Sequence, residues 1–470
     1  MGKRHLIAVV CCLGLTISYL MRFCLALAIT EMTNTTFTKE DPNSCPYPEP
    51  KQNTTIHAQY TWSEHQQGLI LSSFFWGYVV TPIPGGLLSE RFGGKTVFGG
   101  GVILTGVFTM LTPYFVYSWD WMGLIVTRVG VGLSQGVIYA ALHSLVAHWI
   151  PLEERGTWGT LVFSGSHLGN TISMVATGQL IYKFGRWEMV FYLYGVLSVV
   201  WAVVFTVTVY STPDDHTGLS KEERTLLEMY AAQIRKRKNN RETPWKRILK
   251  SNPVWAIVIA MVGHDWGMFA LVTDIPKYMK CVLHFNIRQN GDYLGIGYSL
   301  LWFTSILSGM AVDVINKKKI VSLTTNRKIL ATIGSVGSSF GLIGASYSGC
   351  NVHVAMTCLI VGMALMGCFY PSLKVNPIDL APNYAGTVAA LSHSIGGLSG
   401  IVIPYIVSSL TPNGFLMEWR HVFWITFLVI LSTNAVFCLQ GSAEIQPWND
   451  NFESLPLLSD YELTPRRSKK

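Results

Sequence analysis

Residues 121–155 read WMGLIVTRVGVGLSQGVIYAALHSLVAHWIPLEER, and this stretch decides how the rest of the chain is interpreted. Its apolar part is long enough to cross a bilayer as a helix. It ends at Pro151 and a charged Glu-Glu-Arg group, and it contains one full charge, Arg128. A guanidinium at bilayer depth is costly, so such a residue usually faces a wet cavity or a partner. We therefore expect Arg128 to mark a solute path.

Two polar residues follow Arg128 on the same predicted helix. Gln135 lies seven residues further on and therefore on the same face, and Tyr139 lies a turn beyond it. A buried cation beside polar neighbours suits an anionic solute. Anion binding at this face is the central functional hypothesis that the sequence supports.

The composition is that of an integral membrane protein. Of the 470 residues, 50% are hydrophobic and only 13% are charged, whereas a soluble protein carries about a quarter charged residues. We predict an all-α fold with twelve transmembrane helices in two six-helix halves. Residues 1–210 form the first half, 211–252 a polar linker, 253–440 the second half and 441–470 a polar tail. The predicted spans lie near residues 6–30, 66–89, 96–117, 122–149, 157–182, 189–210, 253–276, 291–314, 329–348, 352–373, 385–409 and 420–440.

Charge and glycosylation sequons predict the same orientation. Most of the 35 Lys and Arg residues fall in segments on the same side as the N-terminus, which places both termini in the cytosol. The sequons at Asn34 and Asn53 fall in the opposite loop, residues 31–65. This distribution also explains the net charge of +8 without nucleic acid. A cleaved signal peptide is the alternative for residues 1–30, but the length of the apolar run favours a first transmembrane helix.

The cysteines and the remaining motifs exclude several functional classes. Cys45, Cys281 and Cys350 fall in loops on one side and are candidates for a disulfide, while the other cysteines are scattered. The sequence contains no metal-ligand spacing, nucleotide-binding loop or nucleophile triad. We therefore predict neither an enzyme nor a bound metal or cofactor.

Three landmarks of the first half recur in the second half. Their offsets are 223, 230 and 232 residues. Two pseudo-symmetric halves of this kind are typical of carriers that work by alternating access. The matching landmarks are Gly86, Glu90 and Lys95 with Gly309, Asp313 and Lys317; Arg155-Gly156-Thr157 with Ala385-Gly386-Thr387; and Trp187 and Phe191 with Trp419 and Phe423.

Residues 82–95, PIPGGLLSERFGGK, are the sharpest local motif. Its first two glycines, Gly85 and Gly86, would allow close helix approach. Its charges predict a cytosolic network that latches the two halves in one state; an ordinary capped turn is the alternative. The segment resembles the signature loop of the major facilitator superfamily. The predicted gating residues are Gly86, Glu90, Arg91, Lys95, Glu154, Arg155 and Asp313.

Within that superfamily the chain resembles the anion/cation symporter family, which includes type I sodium/phosphate cotransporters, sialin and vesicular glutamate carriers. The resemblance runs from about Arg22 to Trp448. It implies transport of small organic or inorganic anions, with substrate-binding arginines at Arg22 and Arg128 and a binding tyrosine at Tyr78. The stretches that carry it are YLMR at 19–22, SFFWGY at 73–78, IPGG at 83–86, WIPLEER at 149–155, Asn376 to Gly386 and QPW at 446–448.

The departures from the family pattern bear on coupling. Proton-coupled relatives such as sialin carry a glutamate where this chain has Gln135, and an amide cannot exchange a proton near neutral pH. The resemblance therefore favours the phosphate-cotransporter branch and a sodium or potential drive. Leu71 or Ser72 replaces a histidine of the glutamate carriers, and His264 falls near their seventh-helix arginine, which argues against a glutamate carrier.

Proton coupling stays open as an alternative. His264, Asp265 and His393 are candidate ion-coupling residues, and His143 and His167 also lie in or near spans. For any single one of these histidines, packing is the commoner role.

The runner-up function is a proton-coupled lysosomal exporter of acidic sugars or amino acids. The pattern formed by Glu453, Leu457 and Leu458 favours it, because acidic dileucine signals are read by sorting adaptors. From another class, the chain could be a membrane sensor that binds an anion without moving it. The sequence leaves the plasma membrane and the endolysosomal membrane as alternatives.

Overall fold

The computed structural model describes residues 2–33, 59–150, 152–213, 218–227, 243–381 and 384–449. The regular secondary structure of this part of the chain is helical, apart from one isolated bridge between Thr33 and Tyr60. Three π-helical segments interrupt the α-helices, at Ala270–Asp274, Ile333–Gly337 and Tyr370–Lys374. The helices are α1 (Lys3–Met32), α2 (Glu64–Val80), α3 (Pro82–Phe92), α4 (Gly94–Trp149), α5 (Leu152–Phe184), α6 (Glu188–Thr208), α7 (Trp245–Ile248), α8 (Asn252–Phe269), α9 (Ile275–Cys281), α10 (Ile287–Lys317), α11 (Leu323–Thr332), α12 (Ser338–Tyr347), α13 (Val352–Met366), α14 (Asn376–Leu380), α15 (Ala385–Gly397), α16 (Ser399–Leu410) and α17 (Leu416–Gln440).

The helices account for the predicted number of crossings. Within the described ranges, nine helices are long and apolar enough to span a membrane, and the bent pair α2–α3 makes ten. Helix α4 forms two crossings, because its backbone is non-helical at Trp119 and at Asp120, whose φ is 50°. Helix α5 has 33 residues and is long enough to span, although its Gly, Ser and Thr residues lower its hydropathy. The prediction of an all-α, twelve-span fold is therefore confirmed.

Local chemistry explains where the helices break. Pro82 and Pro84 follow Thr81, where the axis bends by 41°, because proline lacks the N–H that would continue the helical ladder. At the break in α4, the indole of Trp62 donates a hydrogen bond of 2.7 Å to the Asp120 carboxylate. Asp120 tolerates its positive φ better than a branched residue would, which suits it to this sharp turn.

Two packing seams join the first group of helices to the second. Helix α2 packs on α16, and α5 packs on α10. The α5–α10 seam depends on glycine, because a Cβ at Gly178 would lie 2.8 Å from the carbonyl oxygen of Ile287. A Cβ at Gly291 would lie 2.5 Å from the carbonyl oxygen of Met174. The two backbones are thus in direct contact. The boundaries of the two halves themselves stay a prediction.

The helix bundle has two ends. The loop face is the end that carries Met32, Glu64 and Ile287, and the terminal face is the end that carries Lys3 and Gln440. The sequence predicts that the terminal face is cytosolic.

Candidate anion-binding site

Arg22 lies at the centre of the interface between the two halves, on α1. The side chain is 8% exposed, and its guanidinium carbon is 4.4 Å from the ring centre of Phe74 and 4.7 Å from that of Tyr78. From the other half, the ring of Phe269 lies at 6.0 Å. Aromatic faces stabilise a cation without using its N–H donors. The Arg22 Nε has no hydrogen-bond partner within the described residues, so this donor is free for an anion.

Arg128 lines the same small cavity as Arg22 but is held differently. One terminal nitrogen donates to the carbonyl oxygen of Met21 at 3.3 Å, and the other donates to that of Arg22 at 3.1 Å. Two of its donors are therefore committed to the backbone of α1. Arg128 ties α4 to α1 at the level of Arg22, and in this way it positions the other arginine.

The predicted polar face of α4, with Gln135 and Tyr139, contacts α1. The Gln135 amide donates to the carbonyl oxygen of Ser18 at 2.8 Å, and the hydroxyls of Tyr139 and Tyr19 are 2.9 Å apart. Gln135 is buried and Tyr139 is half-buried. These residues join the two helices, and the polar ladder they form runs from Arg22 towards the terminal face.

Helix α8 brings the second half to the site. His264 stacks on the ring of Phe369 with 3.6 Å between ring centres, and Tyr370 lies edge-on to it. Tyr370 also makes an edge contact with His167 of α5, so the two halves meet here. Asp265 is 8% exposed. A Cβ at Gly396 would lie 2.3 Å from its Oδ2, so the glycine leaves room for this carboxylate.

Lys374 is a site residue that the sequence analysis did not identify. Its ammonium lies 3.4 Å from Nδ1 of His393 and 5.8 Å from the ring centre of Tyr370. The predicted span ended at residue 373, which would leave Lys374 in the membrane interface. The π-helical segment Tyr370–Lys374 instead rotates the side chain into the space between the halves. The sequence did offer one signal, since no other Lys or Arg lies near it in the chain.

The cations of the site outnumber its buried carboxylate. Asp265 interacts electrostatically with both Lys374 and Arg22, and Arg128 adds a third positive charge beside Arg22. With the histidines neutral, the group carries a formal positive surplus. Such a surplus in a low-dielectric region attracts an anion.

The site is closed towards the loop face. The cavity beside Arg22 has a volume of about 20 Å³, which is room for about one water molecule and too little for phosphate or an organic anion. Beyond it, an ion pair joins Lys277 to Glu64. The second ion pair joins Lys280 to Glu31 at 3.2 Å.

The terminal-face side of the site is more open. His143 of the first half and His393 of the second are both exposed. Lys374 beside them is half-buried, whereas Arg22 and Arg128 are buried. We conclude that this conformation gives access to the site from the terminal face.

The predicted gating motif makes contacts within one half. Lys95 donates to the carbonyl oxygen of Thr206 at 2.9 Å and lies over the ring of Tyr210, and Arg91 is exposed. A Cβ at Gly85 would meet Val137 of α4, but one at Gly86 would meet open space. Of these two glycines, only Gly85 is therefore required for close helix approach in this conformation.

Several predicted residues lie outside the described part of the structure. These are the side chains of Glu90, Glu154, Arg155 and Asp313, and the residues Asn34, Cys45, Asn53, Glu453, Leu457 and Leu458. Of the disulfide candidates that are described, Cys350 is disulfide-bonded and Cys281 is a free thiol.

Comparison with known proteins identifies the family. The profile of the Major Facilitator Superfamily matches residues 11–404, most of the chain. The chain belongs to the major facilitator superfamily. A putative inorganic phosphate cotransporter from Drosophila ananassae is 33% identical over 452 residues, which cover 94% of this chain and 93% of that protein. Human sialin is 33% identical over 95% of this chain and 91% of its own length. Human vesicular glutamate transporter 2 is 32% identical over 96% of this chain and 76% of its own length.

Solved structures support the major facilitator fold. A bacterial homologue of the human lysosomal transporter Spinster, in an inward-facing and occupied conformation, has a TM-score of 0.68 and 12% sequence identity. The match covers 93% of this chain and 96% of that protein. The Escherichia coli xylose transporter XylE, in an inward-open conformation, has a TM-score of 0.65 at 13% identity. That match covers 91% of this chain and 95% of XylE.

Proposed function

We propose that this membrane protein is a secondary active transporter that carries small anions by alternating access. Two of its relatives are named as a putative inorganic phosphate cotransporter and a vesicular glutamate transporter, and both of these solutes are anions. The observation that carries the proposal is the buried Arg22, whose Nε has no hydrogen-bond partner among the described residues and whose charge faces the second half of the bundle. A fixed cation with a free donor at this place suits a carboxylate or a phosphate.

The two halves share the anion in this mechanism. An anion that enters from the terminal face binds Arg22 of α1 and Lys374 of the second half. It competes with Asp265 for Lys374, because the carboxylate already interacts with that lysine. Binding to cations on both halves draws the halves together at the terminal face. This closure favours separation at the loop face, where the anion leaves or enters.

A sodium gradient or the membrane potential drives the transport. In support, the fourth membrane crossing carries Gln135 where a proton-coupled carrier needs a carboxylate. The Gln135 amide donates to a backbone carbonyl of α1. An amide in this position binds no proton near neutral pH, so it serves helix packing and not proton transfer.

The location follows the orientation predicted from the charges. Both termini lie in the cytosol, and Asn34 and Asn53 carry glycans on the opposite side. Adaptors that bind the tail pattern at Glu453, Leu457 and Leu458 sort the protein between the plasma membrane and endolysosomal membranes.

Uptake into proteoliposomes tests the proposal. Purified protein is assayed with radiolabelled phosphate, urate, glutamate and sialic acid, each under a sodium gradient, a pH gradient or a potential alone. At least one anion is expected to accumulate with sodium or potential. Arg22→Ala should lower its uptake about a hundredfold, because truncating a buried charged partner costs about 2–5 kcal/mol. The matched control is Arg186→Ala, which removes an exposed arginine at the loop face.

Three results would contradict the proposal. The first is that none of the four anions accumulates, and the second is that uptake follows the pH gradient alone. The third is that Arg22→Ala takes up the anion at the wild-type rate with the same amount of folded protein.

A further inference from the structure

A second small cavity lies between the halves, on the loop-face side of the first. It has a volume of about 20 Å³, enough for one ion or water molecule. Thr30 and Gln67 line it from the first half, and Thr273, Asp274 and Ser408 line it from the second. The walls therefore offer several oxygen atoms and come from both halves.

The charges around this cavity do not balance. Lys277 pairs with Glu64, and Lys280 pairs with Glu31. Both lysines line the cavity, and each is matched by a glutamate. Asp274 is 4% exposed and makes no ion pair with any described residue. When Asp274 is ionised, the five groups leave one buried negative charge, which is costly without a counter-ion.

The Asp274 carboxylate also has few hydrogen bonds. Oδ2 lies 2.6 Å from the hydroxyl of Thr273, and the same hydroxyl lies 2.7 Å from the carbonyl oxygen of Phe269. A hydroxyl has a single proton, so it cannot donate to both oxygens at once. When Thr273 donates to Phe269, its oxygen lies 2.6 Å from an ionised Asp274 carboxylate that receives no proton from it. That arrangement repels a second oxygen and suits a hard cation, which takes oxygen ligands.

The position of these residues connects them to the anion site. Thr273 lines both this cavity and the cavity beside Arg22. Asp274 ends the π-helical segment that begins directly after Phe269, and π-helical turns occur frequently at functional sites. The ring of Phe269 packs on Phe75 at 4.6 Å and faces the Arg22 guanidinium. The short segment from Phe269 to Asp274 therefore contacts both this cavity and the cavity beside Arg22.

We propose that Asp274 and Thr273 bind a sodium ion in this cavity and that this ion is the coupling cation. The inference rests on the proposed anion transport and names the cation that drives it. Sodium neutralises Asp274 and accepts oxygen ligands from both halves. It also fixes the segment that carries Phe269 beside Arg22. By linkage, the anion and the sodium ion then raise each other's affinity by the same factor.

Sodium binding is tested first without transport. The thermal unfolding of the purified full-length protein is measured with increasing sodium chloride, and N-methylglucamine chloride keeps the ionic strength constant. A ligand that binds the folded state raises the unfolding midpoint with its concentration. The midpoint of the wild type should rise with sodium, and that of Asp274→Asn should not. The control Glu222→Gln, which neutralises an exposed carboxylate outside the cavity, should behave as the wild type.

The transport assay then separates coupling from anion binding. Counterflow at saturating concentrations of the transported anion, without sodium on either side, reports the anion site alone. Asp274→Asn should retain counterflow and lose the acceleration of uptake by a sodium gradient. In the wild type, sodium should raise the affinity for the anion by about 5- to 150-fold, the usual range for two coupled sites. Thr273→Val, a second variant of similar shape, should lower the apparent sodium affinity about tenfold.

The outcomes are distinct. Sodium stabilisation of Asp274→Asn equal to that of the wild type overturns the inference, and so does unaltered sodium-driven uptake in both variants. Sodium stabilisation of the wild type without any anion counterflow overturns the proposed anion transport and leaves the cation site standing.

Discussion

The loop-face end and the terminal-face end of the interface between the halves are built from different contacts. At the loop face, charges pair across the interface, as in Glu64 with Lys277, and glycine lets backbones touch at Gly178. At the terminal face, the described charges pair within one half, as Arg327 does with Asp379 at 2.9 Å. The loop face thus forms a gate that joins the halves, while the terminal face holds each half together and leaves the site accessible.

This difference has an energetic consequence for the transport cycle. The side chains of Glu64 and Lys277 are each 13% exposed, so their pair lies between the exposed and the fully buried case. Breaking such a pair costs about 1–3 kcal/mol, between the values for surface and buried ion pairs. Opening the loop face therefore needs a ligand with a differential affinity of several kcal/mol for the two states. An anion that binds cations on both halves of the proposed site can have this differential affinity.

The largest effect is expected from a steric block of the gate. Gly178→Val places a Cβ 2.8 Å from the carbonyl oxygen of Ile287, so α5 and α10 can no longer touch. Overpacking of this kind costs about 1–3 kcal/mol, and anion uptake should fall about tenfold or more. Uptake into proteoliposomes measures it. The control is Gly100→Val, where a Cβ would meet open space; equal uptake by the two variants would contradict the gate.

Removing one charge of the gate should have an intermediate effect. Glu64→Gln breaks the pair with Lys277 and should raise the population open at the loop face about tenfold, because 1.4 kcal/mol corresponds to a factor of ten. Cys281, a native free thiol that lines the loop-face cavity, reports this opening. Its labelling by a membrane-impermeant thiol reagent, quantified by mass spectrometry of the peptide, should accelerate by a similar factor. An unchanged labelling rate would show that the pair does not hold the gate closed.

The smallest effect is expected from the signature motif at the terminal face. Lys95→Ala removes a hydrogen bond to Thr206 and a contact with Tyr210, all within one half. We expect the free energy of unfolding to fall by about 1 kcal/mol and uptake to stay within about twofold of the wild type. Thermal unfolding and uptake of the same preparation check both values. A large loss of uptake with normal stability would instead support the prediction from the sequence that this motif latches the two halves.

Much of the fold could be predicted because hydropathy and proline act locally. The span near 122–149 corresponds to the second arm of α4, and Pro82 predicts the bend that follows α2. That Arg22 and Arg128 face the interior of the bundle could also be predicted, since a charge in an apolar span is costly against lipid; the family resemblance implied that they share one site.

The rest depended on helix rotation, which the sequence does not reveal. Lys374 and Asp274 each end a π-helical segment, and the extra residue in such a turn changes the direction of the side chain. The different environments of the two arginines follow from contacts with other helices. Arg128 meets carbonyl oxygens of α1, whereas Arg22 meets aromatic rings, and spacing along one helix cannot separate these cases.

The central claim is that Arg22 and Lys374 hold the same anion from opposite halves. Equilibrium binding of the radiolabelled transported anion to the purified wild type, Arg22→Ala, Lys374→Met and the double variant tests it most directly. Lys250→Met, at an exposed lysine, is the control. We predict that each single variant lowers the affinity at least about tenfold, and that the double variant loses at least about 0.5 kcal/mol less than the sum of the two single losses. Wild-type affinity in Lys374→Met, or strictly additive losses, would contradict the shared site.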